Sequence, residues 1–365
     1  MKRFGRILAR VGIGSITMLA AAAFASPAYA DTTADLEVKF SGATSSPNTD
    51  AKFGTVSMIN HGPSAASGIT LTFDIGDLDS TKVELDTVGC DVNVDTVECA
   101  LPPEFILING ADFDGAMLLT KKPGATGDAG KLTVTISHSG TDPVAANNTV
   151  TVNVTIADAG GPDLATLALD VYKQGTDPNE VAFQPIPPGG TSNLWVFVVN
   201  QGDVKANGVK ISITLPQHVS FNEAEPDCTH TVGSSTTVCE YDTVVLDTNG
   251  TDESLGFFFF PVKVAADAPG PVALTGGVVT AEAMGEPVEV PSASPRNFTR
   301  TAPKGFVDVD PTDNTDEFTV FVAGPTGNGL PQTGVKVGLI AGAGSAVLAL
   351  GVVLVLAARR RRVTA

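Results

Sequence analysis

The chain reads as all-β, built as two tandem antiparallel β-sandwiches, and three observations carry that expectation. Apolar and polar residues alternate in Asp35-Leu36-Glu37-Val38-Lys39-Phe40, in Lys131-Leu132-Thr133-Val134-Thr135-Ile136, from Thr149 to Ile156, and in Val209-Lys210-Ile211-Ser212-Ile213. A period of two puts successive side chains on opposite faces of a strand, so each stretch offers one face to a core. Gly, Pro, Asn and Asp interrupt these stretches at turn spacing, and no amphipathic helical pattern occurs between Asp31 and Ala323. Finally, the pattern N-x-G-x-x-x-A-x-G-[IV] occurs twice, 140 residues apart. Its copies are Asn60-His61-Gly62 with Ala66, Gly68 and Ile69, and Asn200-Gln201-Gly202 with Ala206, Gly208 and Val209.

The duplication sets the domain count. Cys90 and Cys99 are echoed by Cys228 and Cys239, and each unit closes on an Asn- and Asp-rich turn, Ala145 to Asn148 in one and Asp308 to Asp316 in the other. The first sandwich is expected over residues 31–158 and the second over 159–323, with a Gly/Pro hinge between Ala157 and Pro162.

The two ends carry processing signals. Lys2, Arg3, Arg6 and Arg10 form a basic segment, Val11 to Ala25 is mostly apolar, and Ala28-Tyr29-Ala30 supplies a small-x-small cleavage pattern. Residues 1–30 therefore read as a signal peptide cut before Asp31. At the other end, Leu330-Pro331-Gln332-Thr333-Gly334 precedes 21 uncharged residues from Val337 to Ala357, followed by Arg359, Arg360, Arg361 and Arg362. The apolar run is long enough to span a bilayer as a helix, and the arginines would hold its far end in the cytoplasm as a stop-transfer signal.

This order resembles the sorting signal of sortase-anchored (LPXTG-type) surface proteins of Gram-positive bacteria. The resemblance implies that sortase cuts between Thr333 and Gly334 and joins the Thr333 carboxyl to a peptidoglycan precursor. It also implies an extracellular, cell-wall-anchored location, with the membrane occupied only before sorting. Residues 330–365 then form the sorting signal, and 324–329 a spacer that reaches at most ~20 Å when extended. The N-x-G repeats, Ala206-Asn207-Gly208-Val209 with Leu215-Pro216 and Val219-Ser220-Phe221, the cysteine pairs and Asp310-Pro311-Thr312-Asp313-Asn314 resemble the conserved-repeat, Ig-like domains of bacterial surface proteins. That family has no assigned activity. The first unit departs from its pattern, carrying Asp74-Ile75-Gly76 where Leu-Pro is usual.

Processing sharpens the charge. The whole chain has 22 basic and 40 acidic residues; nine of the basic ones lie in the two removed segments, so the remainder carries 13 against 40, a net of −27. Such a chain repels nucleic acid and anionic membrane surfaces. Export places the four cysteines in an oxidising compartment. Their short, polar separations fit hairpins, predicting Cys90–Cys99 and Cys228–Cys239 disulfides, each stabilising its unit by on the order of 2–3 kcal/mol. Zinc is disfavoured, because no C-x-x-C occurs and the four histidines are scattered.

Asp308, Asp310, Asp313 and Asp316 crowd nine residues and form a candidate calcium-ligand set, although the loop lacks the central Gly and final Glu of an EF-hand. The competing reading is a turn whose Asp and Asn side chains cap their own backbone. No nucleophile, dinucleotide or phosphate-loop motif occurs, and no enzyme activity is expected. Alternate rings of Phe257 to Phe260 cannot all face one core, so the outer pair is either covered by the neighbouring unit or exposed as a contact patch. Lys39 and Asn153 sit in plausible first and last strands for a Lys–Asn isopeptide cross-link, which is disfavoured beside the disulfides. The expected function is adhesion to, or interaction with, an extracellular ligand whose identity is not legible; the alternative is a structural spacer or coat.

Overall fold

The computed structural model describes residues 33–86, 89–173, 184–285 and 307–324. The signal segment, the Leu330–Gly334 motif, the Val337–Ala357 run and the terminal arginines lie outside the described residues, as does the spacer beyond Gly324. Among the described residues the regular backbone is strand, apart from a 3-10 turn at Asp252–Ser254.

The first half contains β1 (Leu36–Ser41), β2 (Thr44–Ser45), β3 (Ala51–Asn60), β4 (Ala66–Ser67), β5 (Thr70–Asp74) and β6 (Val83–Asp86). It continues with β7 (Asp91–Val92), β8 (Thr96–Ala100), β9 (Ile106–Leu107), β10 (Asp112–Lys121), β11 (Gly127–Ser137) and β12 (Thr149–Ile156). The second half has β13 (Leu164–Ala168), β14 (Thr191–Asn200), β15 (Ala206–Thr214), β16 (Val219–Phe221), β17 (Thr236–Leu246), β18 (Leu255–Val264), β19 (Val272–Ala283) and β20 (Thr315–Val322).

Two sheets enclose a core in each half. In the first, β1-β3-β10-β6 faces β2-β12-β11-β5-β8-β7; in the second, β13-β14-β18-β16 faces β17-β15-β19-β20. The orders superimpose as patterns. β1, β3 and β10 correspond to β13, β14 and β18, while β8-β5-β11-β12 corresponds to β17-β15-β19-β20. The predicted alternation is the burial pattern itself: Leu36, Val38 and Phe40 turn inward from β1, and Leu132, Val134 and Ile136 from β11.

The repeated pattern acquires a physical meaning at the end of β3 and of β14. Asn60 is fully buried; its Nδ2 donates to the Ser64 and Leu107 carbonyls at 2.8 Å, and its Oδ1 accepts from Gly62 N. Asn200 repeats this with Val204, Leu246 and Asp247 as acceptors and with Gly202 N and Asp163 N as donors. A side-chain amide thus satisfies backbone groups where the chain leaves the sheet. The first Gly of each copy lies against another strand: a Cβ on Gly62 would come within 2.4 Å of Asp35 N, and one on Gly202 within 2.2 Å of Gly161 O. The second Gly, Gly68 or Gly208, takes φ of 60° or 75°, a left-handed turn that other residues resist.

The disulfides are Cys90–Cys99 and Cys228–Cys239. Cys99 lies opposite Leu71 and Cys239 opposite Ile211, so each bridge staples the hairpin beside the same core strand of its unit.

The Gly/Pro hinge read from the sequence is not a free joint. Gly161, Pro162 and Asp163 are buried, and Gly161 N donates to Asp203 Oδ1 at 2.9 Å. The glycines that look flexible in sequence serve close packing here.

Replacing Asn200 with Ala removes its hydrogen bonds to the Val204, Leu246 and Asp247 carbonyls and from the Gly202 and Asp163 amides, a loss of at least about 2 kcal/mol on the scale of single unsatisfied groups. Urea unfolding measures this directly, and an Asn200→Ala chain as stable as the parent would refute the role assigned to the corner.

Candidate functional site

The densest buried chemistry lies where the two sandwiches meet. Lys52, on β3, shares the inward phase of Val56, Met58 and Asn60, yet it is only 1 % exposed and its ammonium is directed to the second sandwich. Its Nζ donates to both oxygens of Asp163 at 2.8 Å and to Asp310 Oδ2 at 3.3 Å. Asp313 Oδ2 lies 3.0 Å away as an ion pair, and Asp313 Oδ1 accepts no hydrogen bond. Asp163 precedes β13, while Asp310 and Asp313 belong to the turn before β20.

One ammonium faces three buried carboxylates, and the titration follows from that imbalance. Burial alone would lower the Lys52 pKa, but Asp313, Asp163 and Asp310 together raise it, so the amine stays protonated. Burial lifts Asp163 to about 7 despite Lys52, and it lifts Asp313 well above the ordinary carboxylate range. Burial acts the same way on Asp310, but Lys52, Thr312 and the Thr44 amide outweigh it and hold that carboxyl low. The distances make Asp163 the nearest partner of the ammonium, gripping it through both oxygens, while the titration directions leave Asp310 the carboxyl held ionised and Asp163 and Asp313 those pushed toward the protonated form.

Around this pair, polar contacts tie the halves edge to edge. The Gln201 amide accepts from Phe53 N at 2.7 Å and donates to Phe53 O at 2.9 Å, closing on β3 as a neighbouring strand would. Asn249 donates to Ala51 O at 2.6 Å, Thr44 N to Asp310 Oδ2 at 2.6 Å, and Asn48 to Asp203 at 2.7 Å. Phe321, from β20, is counted among the buried residues of the first core and stacks on Tyr172 with ring centroids 4.6 Å apart.

A second acidic pocket occupies the same junction. Asp112 and Asp114 of β10 meet Asp170, which follows β13, and Asp316 of β20. Asp170 is fixed by the Thr319 and Asp112 amides at 2.7 and 3.2 Å, and Asp114 by the Ser57 hydroxyl at 2.5 Å. Burial raises all four carboxyls, that of Asp114 to about 6. Lys39 is the cation acting on both Asp112 and Asp114, but its ammonium is 42 % exposed and pairs with Glu317 at 3.2 Å.

The four aspartates proposed as a calcium set are therefore divided. Asp310 and Asp313 surround Lys52, and Asp308 caps Leu164 N at 3.0 Å. Asp316 caps Ala168 N at 2.6 Å and faces the second pocket. Oxygens of Asp163, Asp308 and Asp313 do lie within 4.8 Å of one another, but the Lys52 ammonium already sits among them. Lys39 turns to Glu317, whereas Asn153 pairs with Lys131 through the β11–β12 ladder. Cys228, His230 and Cys239 are neighbours, but the sulfurs are joined to each other and are not thiolates available to zinc. Lys52 and Asp163 went unread in the sequence. The available signal was parity: Lys52 falls on the inward phase of an otherwise apolar strand.

The outer face of β14 and β18 is the other distinctive surface. Phe258 and Phe260 point into the core, whereas Phe257 and Phe259 are 56 % and 58 % exposed and Trp195 is 41 % exposed. The neighbouring sandwich does not cover the outer pair, so the covering alternative fails. Trp195 lies across from Phe259 and Phe197 across from Phe257, with ring centroids 5.8 and 4.8 Å apart.

No family model matches the sequence, and no curated protein does. Among solved structures, activated Escherichia coli alpha-2-macroglobulin is 13 % identical with a TM-score of 0.24, covering 81 % of this chain and 22 % of that one. Methylamine-reacted Salmonella alpha-2-macroglobulin is 12 % identical with a TM-score of 0.24, covering 80 % and 16 %. The chain thus spans about a fifth of the length of those proteins.

Two outcomes are expected at this junction. Lys52→Met should destabilise the chain by about 3–5 kcal/mol at neutral pH, the scale for removing one partner of a buried ion pair, and urea titrations at pH 7.5 and 5 should find a smaller loss at the lower pH. The parent itself, in chelator, should melt higher at pH 5 than at pH 8. A carboxyl whose folded pKa is raised, as for Asp163 (about 7) and Asp114 (about 6), binds a proton on folding, so stability grows as pH falls through those values. The Lys52 contribution is fully present throughout this window, since its raised pKa lies above it. A lower melting temperature at pH 5 would overturn this account.

Proposed function

We propose that the chain is a surface protein, exported and joined to peptidoglycan by sortase through Thr333, which displays two Ig-like sandwiches for interaction with an extracellular partner. The observation that carries the interaction reading is the aromatic face of β14 and β18. Trp195, Phe257 and Phe259 stand side by side on a sheet, held apart from the core by the buried Phe258 and Phe260. An exposed aromatic patch of this kind is a hallmark of recognition surfaces, where rigid rings contribute much of the contact energy.

Support for the extracellular location comes from the two disulfides, bonds that persist in oxidising compartments. Support for anchoring comes from the ordered Leu330–Gly334 motif, apolar run and arginine tail. A structural-spacer role is the second reading, and the interlocked junction around Lys52 favours it, since the ion pairs and the Gln201 clasp tie the two sandwiches together.

Binding of the full chain to intact producer cells, wall glycans and matrix proteins separates the two. Replacing Trp195, Phe257 and Phe259 together with Ser should abolish saturable binding, each anchoring ring being worth about 2 kcal/mol; an unaltered isotherm, or silence of the folded parent across the panel, leaves the spacer ahead. For anchoring, Thr333→Ala should move the chain from the wall fraction to the membrane fraction of producing cells, and continued recovery with the wall would defeat the sortase assignment.

A further inference from the structure

Building on the reading of the aromatic face of β14 and β18 as a contact surface, we infer that its occupant is a second copy of this chain, packed face to face. Both strands are apolar without interruption, from Leu194 to Val199 in β14 and from Phe257 to Val262 in β18. An antiparallel sheet with one face in water alternates instead, and unbroken apolar runs belong to strands covered on both sides. Here the core covers the inner side only, and Trp195, Phe257 and Phe259 stay 41 %, 56 % and 58 % exposed.

The sandwich itself does not require these rings. In the first unit β3 and β10 hold the places of β14 and β18, and the Asn60–Asn200 correspondence sets the offset at 140 residues. Thr55 and Ser57 then stand where the second unit has Trp195 and Phe197. Their cross-strand partners are Ala116 and Asp114, against Phe259 and Phe257 in the second unit. The small, polar set of the first unit meets the second sandwich at Asp114, beside Leu167 and Asp170. Its counterpart in the second unit is aromatic and open, a face shaped for a cover that the described residues do not supply.

Charge selects the occupant. With 40 acids against 22 bases, two copies repel each other wherever acids line both surfaces. The outward positions of β14 and β18 carry no carboxylate and a single charge, that of Lys263. A two-fold axis lying in the interface, perpendicular to the strands at the Val196–Phe258 pair, runs each strand antiparallel over its own copy. Positions equally far from that pair on opposite sides then approach each other. Phe257 meets Phe259, Trp195 meets Phe197, and Lys263 is brought toward Glu253, an exposed residue in the turn that leads into β18. Rings therefore pack on rings, and the cation of the face finds a carboxylate of the other copy. The ten-residue strands are about 33 Å long, and a band three strand spacings wide offers about 500 Å² per copy. Two such faces bury about 1,000 Å², the lower edge of specific interfaces, which fits a weak and reversible dimer.

Sedimentation equilibrium of the full chain over a concentration series tests this, beside a face variant combining Trp195→Ser, Phe257→Ser and Phe259→Ser. The C-terminal apolar run is present in both chains, so association through it is common to both. The expected result is a monomer–dimer equilibrium with a Kd on the order of 10 µM. Added salt should tighten it, because screening weakens the repulsion between acidic copies, and the face variant should weaken it at least about 100-fold. Lys263→Glu should weaken it about threefold, the scale of an exposed ion pair, and Lys263→Glu with Glu253→Lys should restore it. Lys131→Glu, the same charge change on exposed β11, should leave the Kd within about twofold. A dimer that the face variant forms equally well overturns the proposal, as do equal responses to Lys263→Glu and Lys131→Glu. A monomeric parent that still binds cells, glycans or matrix through these rings overturns the second copy and keeps the contact surface; a monomeric parent silent across that panel overturns both. Should the face variant fail to fold, the two single lysine variants still decide the matter.

Discussion

Burying one lysine among three aspartates constrains everything else at the centre of this molecule. Lys52 can lose its water only because Asp163, Asp310 and Asp313 surround it, and those carboxylates can be buried only because Lys52 is there. Neither sandwich is electrostatically complete alone: the amine belongs to the first and the acids to the second. The Gln201 amide on β3, the Asn249 and Asn48 contacts and the insertion of Phe321 into the first core follow from holding that pair in register. Such a pair adds less net stability than its Coulomb attraction implies, because desolvation opposes it, but it tolerates one arrangement of the two halves and penalises others.

The duplicated topology makes the divergence between the copies informative. Both units keep the Asn corner, the left-handed Gly and the hairpin disulfide, which are requirements of the sandwich itself. The residue between Asn and Gly is free of that duty and has taken different work. In the first unit it is His61, paired with Glu37 at 2.7 Å on the surface; in the second it is Gln201, which clasps β3. The same position therefore serves solvent in one copy and assembly in the other.

Much of the fold was legible because strand periodicity and turn chemistry are local. Leu36 to Phe40, Leu132 to Ile136 and Val209 to Ile213 all bury the residues their alternation indicates. The repeat announced two equivalent units, and short cysteine spacings announced hairpins. What stayed hidden was partnership across long separations. Asp308 to Asp316 reads as one acidic turn, yet its side chains serve two pockets: Asp310 and Asp313, in the turn, reach Lys52, whereas Asp316, already in β20, caps Ala168 N. Lys52 and Asp163 are 111 residues apart and share no motif. The glycines at 160 and 161 looked like a hinge because composition cannot distinguish flexibility from close packing.

The last strand would have a mechanical consequence under the proposed C-terminal tether. β20 runs beside β19 in the second sandwich, bridges in parallel to Val171 and Ile186, and sends Phe321 into the first core. Tension arriving beyond Val322 would reach both cores through that one strand. Its parallel bridges would be sheared together instead of opening one after another. Extension under flow would then begin only after the whole body had yielded, so the two sandwiches should resist drag as one unit, without a weak link between them.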